Sequence, residues 1–228
     1  MKNIFFIPAA GSANRMNGIP KFLLPLDKSN YLLKFHLENI TNLFSTNTKI
    51  LIGTSNTNYS LLNNLNLKGD LQNLNSNSMV STVLQLSSQN RDEQNVYTTL
   101  MPDTYFDDTE ILKKMNHKLI STNLDIVLGL WKISKLQLGK VGQCIIDTER
   151  QMITEIIDKD KNCKEPYFWG VVMWKDSFFK FINNEDAHFG ISINRAINAN
   201  LKVGYEVANS RYFDCGTFNE YKELISYL

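Results

Sequence analysis

The chain has 228 residues, of which 43% are hydrophobic and 21% charged, and its formal net charge is +1. This near-neutral composition, without a lysine- or arginine-rich run, argues against a nucleic-acid surface, and no stretch approaches the ~18 apolar residues of a membrane span. Three cysteines without C-x-x-C spacing fit a reducing compartment, so we expect a cytoplasmic protein that binds neither nucleic acid nor membrane, with residues 1–228 in one domain.

Short apolar runs alternate with helical patterns through the first half of the chain. The predicted strands there are Asn3–Ile7, Lys49–Gly53, Asn95–Met101 and Leu124–Trp131. Apolar residues at spacings of three and four predict a helix over Tyr31–Phe44, and weaker helical patterns cover Thr57–Leu65 and Ser81–Leu86. This alternation predicts a mainly parallel sheet with helices on both faces.

The second half of the chain changes character. Gln143–Ile146 and Gln151–Ile157 flank a short polar turn and predict a hairpin beside the parallel core. Further strands are predicted at Phe168–Trp174 and Lys202–Ala208, and helices at Ile191–Ala199 and Phe218–Leu228. The segment Asn63–Ser78 is rich in asparagine, leucine and serine, and its leucines predict partial packing against the core.

A block of small residues and two cations follows the first predicted strand. Residues 8–26 read PAAGSANRMNGIPKFLLPL, so a buried strand runs directly into a turn of small residues. Small residues let backbone N–H groups approach an anion closely, and the cations Arg15 and Lys21 can then clamp it. The block contains neither a P-loop nor the dinucleotide pattern G-x-G-x-x-G. The predicted anion-binding turn consists of Ala9, Ala10, Gly11, Ser12 and Ala13.

Two aspartates are candidates for a metal site. Asp103 follows the predicted strand Asn95–Met101, and open α/β sheets bind ligands at the carboxyl ends of their strands. Asp214 lies near the C-terminus, just before Gly216 and Thr217. On the residues alone, each aspartate could equally form a turn or start a helix. Magnesium needs only one or two carboxylates plus phosphate oxygens, so a pair of aspartates from distant strand ends is sufficient.

Three blocks, in this order along the chain, resemble the sugar-phosphate nucleotidyltransferases. Residues 8–26 resemble the family's AAG-x-G-x-R-M turn and its Pro-Lys pair, with Ala13 at the position of the second glycine. Met152–Lys159 is similar to the G-x-V-x-x-x-x-E-K-P segment, and residues 212–221 resemble the D-x-G-T-x-x-x-Y box. The resemblance covers nearly the whole chain and implies an α/β fold: a Rossmann-like three-layer sandwich with a mixed, mainly parallel sheet and a small hairpin insertion in the second half.

The resemblance implies roles for the residues that would bind a nucleoside triphosphate. Arg15 would hold the β- and γ-phosphates, Lys21 would contact the α-phosphate, and the turn of small residues would cradle the chain of phosphates. Ser81 lies where the family's base-reading loop enters a helix. Asp103 and Asp214 would hold Mg²⁺, with Pro102-Asp103 standing where the family has Gly-Asp.

The resemblance also implies an acceptor site in the second half. Lys159, Gly142 and Gly170 would contact the acceptor, with Lys161 and Lys164 as alternatives to Lys159. The implied reaction transfers a nucleotidyl group from an NTP, expected to carry a pyrimidine, to a phosphorylated small molecule and releases pyrophosphate. A sugar 1-phosphate is the favoured acceptor, and surface-polysaccharide precursor synthesis is the implied setting.

Two other functions fit the same residues. A cytidylyltransferase could act on a non-sugar phosphate, of the methylerythritol or phosphocholine type, although the Asp-Cys-Gly-Thr sequence at Asp214 argues against the first of these. A non-catalytic nucleotide-binding or regulatory domain could share the fold, and Ala13 and Pro102 depart from the family pattern in the direction that this reading needs. The sequence leaves the base, the acceptor and the oligomeric state open.

Overall fold

The computed structural model describes residues 1–11, 14–44 and 47–228. Within these ranges the strands are β1 (Asn3–Ala9), β2 (Thr48–Thr54), β3 (Asp70–Asn73), β4 (Val96–Leu100), β5 (Thr104–Phe106), β6 (Ile126–Lys132), β7 (Gly142–Asp147), β8 (Met152–Asp158), β9 (Tyr167–Lys175), β10 (Val203–Val207) and β11 (Tyr212–Asp214). The α-helices are α1 (Leu32–Leu43), α2 (Asn56–Leu62), α3 (Met79–Ser87), α4 (Ile111–Ser121), α5 (Phe189–Asn198) and α6 (Phe218–Tyr227).

A central sheet runs in the order β10-β6-β9-β4-β1-β2-β3. The pairs β1–β2, β1–β4, β2–β3 and β6–β10 are parallel, whereas β9 is antiparallel to both of its neighbours, β4 and β6. The predicted hairpin is present as β7 and β8, and it joins the sheet where Gln143 pairs with Phe168 of β9. The prediction of a mixed, mainly parallel sheet with a small hairpin insertion is confirmed.

Helices cover both faces of this sheet and form two separate cores. Phe5 and Ile7 of β1 face the helices α1, α2 and α4, whereas Ile4 and Phe6 face α3 and α5. Because side chains alternate along a strand, a strand that is buried on both faces must be continuously apolar, which is why residues 4–7 read as a hydrophobic run. The predicted three-layer arrangement is therefore confirmed.

A second, two-stranded sheet lies outside the main one. β11 pairs with β5 in antiparallel register, with Tyr212 opposite Phe106 and Asp214 opposite Thr104. A third apolar cluster lies beside this small sheet and takes up Leu224 of α6. The sequence analysis did not predict β5, β11, the polar edge strand β3 or α4. Within the described residues, no helix is long and apolar enough to cross a membrane.

Candidate active site

A cavity of about 490 Å³ opens at the carboxyl ends of β1 and β4, next to the first turn of α3. This is the edge at which open α/β sheets bind ligands, because strand ends and helix starts converge there. The cavity is lined by Pro8, Ala9, Ala10, Gly11, Lys21, Phe22, Ser76, Asn77, Ser78, Met79, Thr82, Met101 and Asp103. The structure thus brings the described part of the predicted turn together with Lys21 and Asp103.

Lys21 and Asp103 form an ion pair in the wall of this cavity. The Nζ atom lies 3.1 Å from Oδ2, and each side chain has 17% of its surface exposed. Lys21 opens the 3₁₀ helix Lys21–Leu23 directly after Pro20, and the neighbouring Phe22 is buried in the core. Because the proline fixes the backbone before the turn and Phe22 anchors it, the Lys21 ammonium is held at the cavity wall.

The two candidate metal-binding aspartates lie at neighbouring strand ends of the small sheet, with Asp214 at the end of β11 and Asp103 directly before β5. The backbone N–H of Cys215 donates a hydrogen bond to the carbonyl of Asp103 at 2.9 Å, and Asp214 pairs with Thr104 in register. The buried His36 of α1 contacts this sheet through its Nε2, which lies 2.7 Å from the carbonyl of Thr104. Segments more than a hundred residues apart in the sequence therefore place their carboxylates side by side.

Burial and neighbouring carboxylates together raise the pKa of Asp214 from 3.8 to about 7. Burial is the largest cause, the Asp103 and Glu220 carboxylates add to it, and the Lys21 and Arg15 cations act in the opposite direction. Within the described ranges, no group of three or more His, Cys, Asp or Glu side chains could hold a metal ion. A site for a cation that also takes phosphate oxygens needs no third protein carboxylate, so the pair matches the requirements of magnesium.

Arg15 reaches the same place from the N-terminal turn. A Cβ atom added to Gly216 would lie 3.3 Å from Oδ1 of Asp214 and 3.4 Å from Nη2 of Arg15. Met16, the next residue, is fully buried and packs in the third apolar cluster with Phe213. The buried methionine thereby fixes the position of an exposed arginine, a role that the sequence analysis did not assign to Met16.

Glu220 lies near Asp214 and adds a third carboxylate to the site. The sequence analysis did not identify it. Its Oε2 accepts a hydrogen bond from Oγ1 of Thr217 at 2.8 Å, and its Oε1 lies 2.9 Å from Nζ of Lys140. Thr217 caps α6 and Glu220 stands three residues later, which is the T-x-x-E pattern of a capping box. That pattern could have identified the pair from the sequence.

A smaller cavity of about 70 Å³ lies on the Asp214 side of the aspartate pair. It is lined by Lys132, Ser134, Leu136, Gln137, Lys140, Val141, Arg211, Tyr212, Phe213, Asp214, Glu220 and Glu223. Gln137 donates a hydrogen bond to the carbonyl of Tyr212 at 3.1 Å, and the carbonyl of Val141 accepts one from the backbone N–H of Lys159 at 3.2 Å. Residues 134–141 thus link the segment around Asp214 to the predicted acceptor-binding turn.

The predicted acceptor residues lie in the second half, away from the lining of the larger cavity. Lys159 is exposed, and its Nζ lies 3.2 Å from Oδ2 of Asp158, which is also 3.2 Å from Nε2 of His188. A Cβ atom on Gly142 would lie 2.5 Å from the Trp169 indole nitrogen.

Gly170, like Gly142, has no room for a side chain, because an added Cβ would lie 2.5 Å from the Tyr212 ring. Gly142 and Gly170 therefore make room for aromatic side chains of the protein itself, and their contact with an acceptor remains a prediction.

The remaining predicted residues are Ser12, Ala13 and Ser81. Ser12 and Ala13 lie outside the described residues. Ser81 is buried in the first turn of α3, where its backbone N–H donates to Oγ of Ser78 at 3.0 Å. Ser78 and Thr82 line the larger cavity, whereas Ser81 is not among its lining residues. The helix start is therefore at the cavity, but Ser81 points into the protein.

Comparisons with known proteins bear on the fold. No family model matches the chain, and no curated protein is similar to it in sequence. Among solved structures, a UDP-glucose pyrophosphorylase complexed with UDP-glucose superposes with a TM-score of 0.79 at 14% identity, covering 100% of this chain and 98% of that one.

Two further structures are comparably similar. A protein described as a glucose-1-phosphate thymidylyltransferase from Bacillus anthracis gives a TM-score of 0.78 at 17% identity, with 99% and 94% of the two chains covered. The inositol-1-phosphate CTP transferase from T. maritima gives 0.73 at 15% identity, with 99% and 95% covered. The chain therefore has the fold of these nucleotidyltransferases over its full length.

Proposed function

We propose that this protein is a nucleotidyltransferase that transfers a nucleotidyl group from an NTP to a phosphate monoester. The observation that carries the proposal is the convergence of Lys21, Asp103, Asp214 and Arg15 where the small-residue turn meets the small sheet. Two cations and two carboxylates at the end of a cavity suit a triphosphate with its metal ion, because phosphoryl chemistry depends mainly on positioning and charge neutralisation.

In the proposed reaction, an oxygen of the acceptor phosphate attacks the α-phosphorus. A new P–O bond forms there, the bond from the α-phosphorus to the bridging oxygen breaks, and pyrophosphate leaves with that electron pair. The acceptor phosphate is already an anion, so no general base has to remove a proton. Lys21 would neutralise charge at the α-phosphate, and Arg15, whose planar fork suits bidentate phosphate binding, would hold the leaving pyrophosphate.

The same residues fit a bound Mg²⁺. Asp103 and Asp214 offer hard oxygen ligands, and the raised pKa of Asp214 reflects first its burial and then the neighbouring Asp103 and Glu220 carboxylates, which Lys21 and Arg15 only partly offset. When bound, the ion would neutralise charge on the triphosphate and on the departing pyrophosphate. The two aspartates would hold it, and the Lys21 ammonium, which pairs with Asp103 in the structure, would then be free to turn toward phosphate.

The neighbours favour a sugar 1-phosphate or related phosphate monoester as acceptor. The structures of similar fold are described as acting on glucose 1-phosphate or inositol 1-phosphate, or as complexed with UDP-glucose, and one is described as UTP-bound. A pyrimidine NTP and a role in surface-polysaccharide precursors are part of the proposal. Lys159 is the proposed contact to the acceptor phosphate.

A matrix assay would test this function. Each of CTP, UTP, dTTP, ATP and GTP is combined with a panel of sugar 1-phosphates, inositol 1-phosphate, phosphocholine and methylerythritol phosphate, with MgCl₂, and pyrophosphate release is measured. We expect release that requires one acceptor, together with the matching nucleotide-linked product by mass spectrometry. Lys21→Met and Asp103→Asn should abolish it, whereas Lys49→Met, which breaks an exposed ion pair with Asp70, should not. Nucleotide binding without any acceptor-dependent release would instead favour the non-catalytic alternative.

A further inference from the structure

Asn58 of α2 contacts the backbone of the predicted phosphate-binding turn. Its Nδ2 donates a hydrogen bond to the carbonyl of Ala9 at 2.9 Å, and it lies 3.3 Å from the carbonyl of Gly11. The residue has 6% of its surface exposed, and the partners lie 49 and 47 residues away in the sequence. A buried amide is retained only where its hydrogen bonds are satisfied, so this contact belongs to the fixed part of the structure.

Asn58 makes this contact from the face of the sheet opposite to α3, the helix whose first turn lines the larger cavity. Leu62 of α2 belongs to the core cluster that contains Phe5 and Ile7, whereas Val80 and Val83 of α3 belong to the other cluster. The larger cavity is lined by Ala9, Ala10 and Gly11 and by residues of α3, with no α2 residue among those lining it in the described part of the chain.

We infer that Asn58 is a positioning residue for triphosphate binding, an inference that rests on the proposed function. Carbonyl oxygens carry partial negative charge and would repel phosphate if they faced it. One amide holds two of them, Ala9 and Gly11, on the α2 side of the sheet. The N–H groups and small side chains of Ala9, Ala10 and Gly11, which line the cavity, are then left to face it, so that an anion can approach the backbone.

The chain offers a matched control in Asn116. This asparagine lies on α4, has 7% of its surface exposed, and donates from Nδ2 to Oδ1 of Asn3 at 2.6 Å. Both asparagines are therefore buried helical residues that bond to β1. Asn58 bonds at the carboxyl end of the strand, beside the cavity, and Asn116 bonds at the amino end.

The test compares Asn58→Asp with Asn116→Asp. A carboxylate at position 58 keeps the shape but replaces the amide donor with an oxygen facing two carbonyls. We expect Asn58→Asp to weaken binding of Mg-NTP and of inorganic tripolyphosphate, measured by calorimetry, by about tenfold or more, which corresponds to the loss of one to two hydrogen bonds. The KM for the acceptor should change by less than about twofold. Asn116→Asp should lower the melting temperature and leave both binding constants unchanged.

Each outcome separates the inference from the proposed function. Equal loss of affinity in the Asn116 variant, or unchanged affinity in the Asn58 variant, would overturn the positioning role. Tripolyphosphate binding that depends on Asn58, in a protein that releases no pyrophosphate with any acceptor, would support the inference and reject the transfer reaction. If wild-type protein binds none of these probes, both are wrong. Should Asn58→Asp fail to fold, Asn58→Ser and Asn116→Ser provide the same comparison with smaller side chains.

Discussion

The backbone N–H of Cys215 donates a hydrogen bond to the carbonyl of Asp103 at 2.9 Å. This bond extends the pairing of β11 with β5 by one step beyond Asp214 and Thr104. Its consequence is that the two candidate metal ligands are fixed by main-chain hydrogen bonds and do not depend on side-chain packing alone. Like charges held together in this way are relieved by a bound cation, by Lys21 and Arg15, or by a proton on Asp214, whose pKa is raised to about 7.

Asp214→Asn should lower the activity and raise the stability of the protein. Removing one of two neighbouring carboxylates relieves repulsion and the cost of burying a charge, so the melting temperature at pH 8 without magnesium should rise by about 2–4 °C for each kcal/mol relieved. Because the folded-state pKa is raised from 3.8 to about 7, this cost is absent below pH 4, grows as the pH rises from 4 to 7, and is fully present above pH 7.

Thermal melts at pH 8 and just below pH 4, with and without MgCl₂, would measure this effect. Added magnesium should stabilise wild type more than the variant, and the kcat of the variant should fall on the order of 10²-fold or more. Asp70→Asn, at an exposed carboxylate, is the control. A variant that is no more stable at pH 8, or that responds to magnesium as wild type does, would contradict the metal assignment.

Arg15→Ala should cost catalysis far more than folding. Arg15 is exposed, whereas its neighbour Met16 carries the packing of the turn. The expected loss in kcat/KM is on the order of 10²-fold or more, with little change in melting temperature. Arg150→Ala, in the exposed turn of the hairpin, should leave both unchanged. An unfolded Arg15 variant would show that the residue is structural, and normal turnover would show that it is not needed.

His36 should make the fold sensitive to acid. Burial lowers the pKa of His36 from 6.5 to about 4, and the hydrogen bond to Thr104 and the Asp103 charge only partly oppose this. Between these pH values the unfolded chain binds a proton that the folded chain does not, so stability is present above pH 6.5 and is lost as the pH falls toward 4.

The full contribution is about 3 kcal/mol. Denaturant unfolding of wild type, His36→Leu and the exposed-site control His117→Gln at pH 7, 5.5 and 4.5 would measure it. The loss between pH 7 and 4.5 should be smaller in His36→Leu than in the other two proteins. Equal slopes in all three would show that His36 is not the sensitive group.

The sequence predicted much of the fold because its main strands are buried on both faces. Runs such as residues 4–7 and 126–131 must be apolar throughout, and helical spacing in α1 is equally plain. The strand β3 was not predicted because it is a polar edge strand, and β5 and β11 were not predicted because three residues are too few for periodicity to be visible. The helix α4 buries Ile111, Leu112, Met115 and Leu119 at helical spacing, a signal that the sequence analysis overlooked.

The site was predictable only where the chemistry is local. Arg15 and Lys21 stand out because they follow a turn of small residues behind a buried strand, whereas the roles of Asp103 and Asp214 were predicted from the family resemblance. Asn58 gives no such signal: it is one of many asparagines, and its partners lie far away in the sequence. Contacts of this kind depend on how helices are placed over the sheet.

Lys159→Ala should weaken binding of the acceptor and leave binding of the nucleotide nearly unchanged. Lys159 follows β8 in the left-handed backbone region, with φ at 54°, and alanine is no better suited to that region than lysine, so the substitution changes mainly the charge. Loss of one charged phosphate contact should cost about 1.5–3 kcal/mol, seen as a raised KM for the acceptor with the NTP KM nearly unchanged. Titrating each substrate separately, with Lys49→Ala at an exposed ion pair as control, would test this. Equal weakening of both substrates would place Lys159 at the shared α-phosphate, and no effect on either would make Lys161 or Lys164 the next candidate.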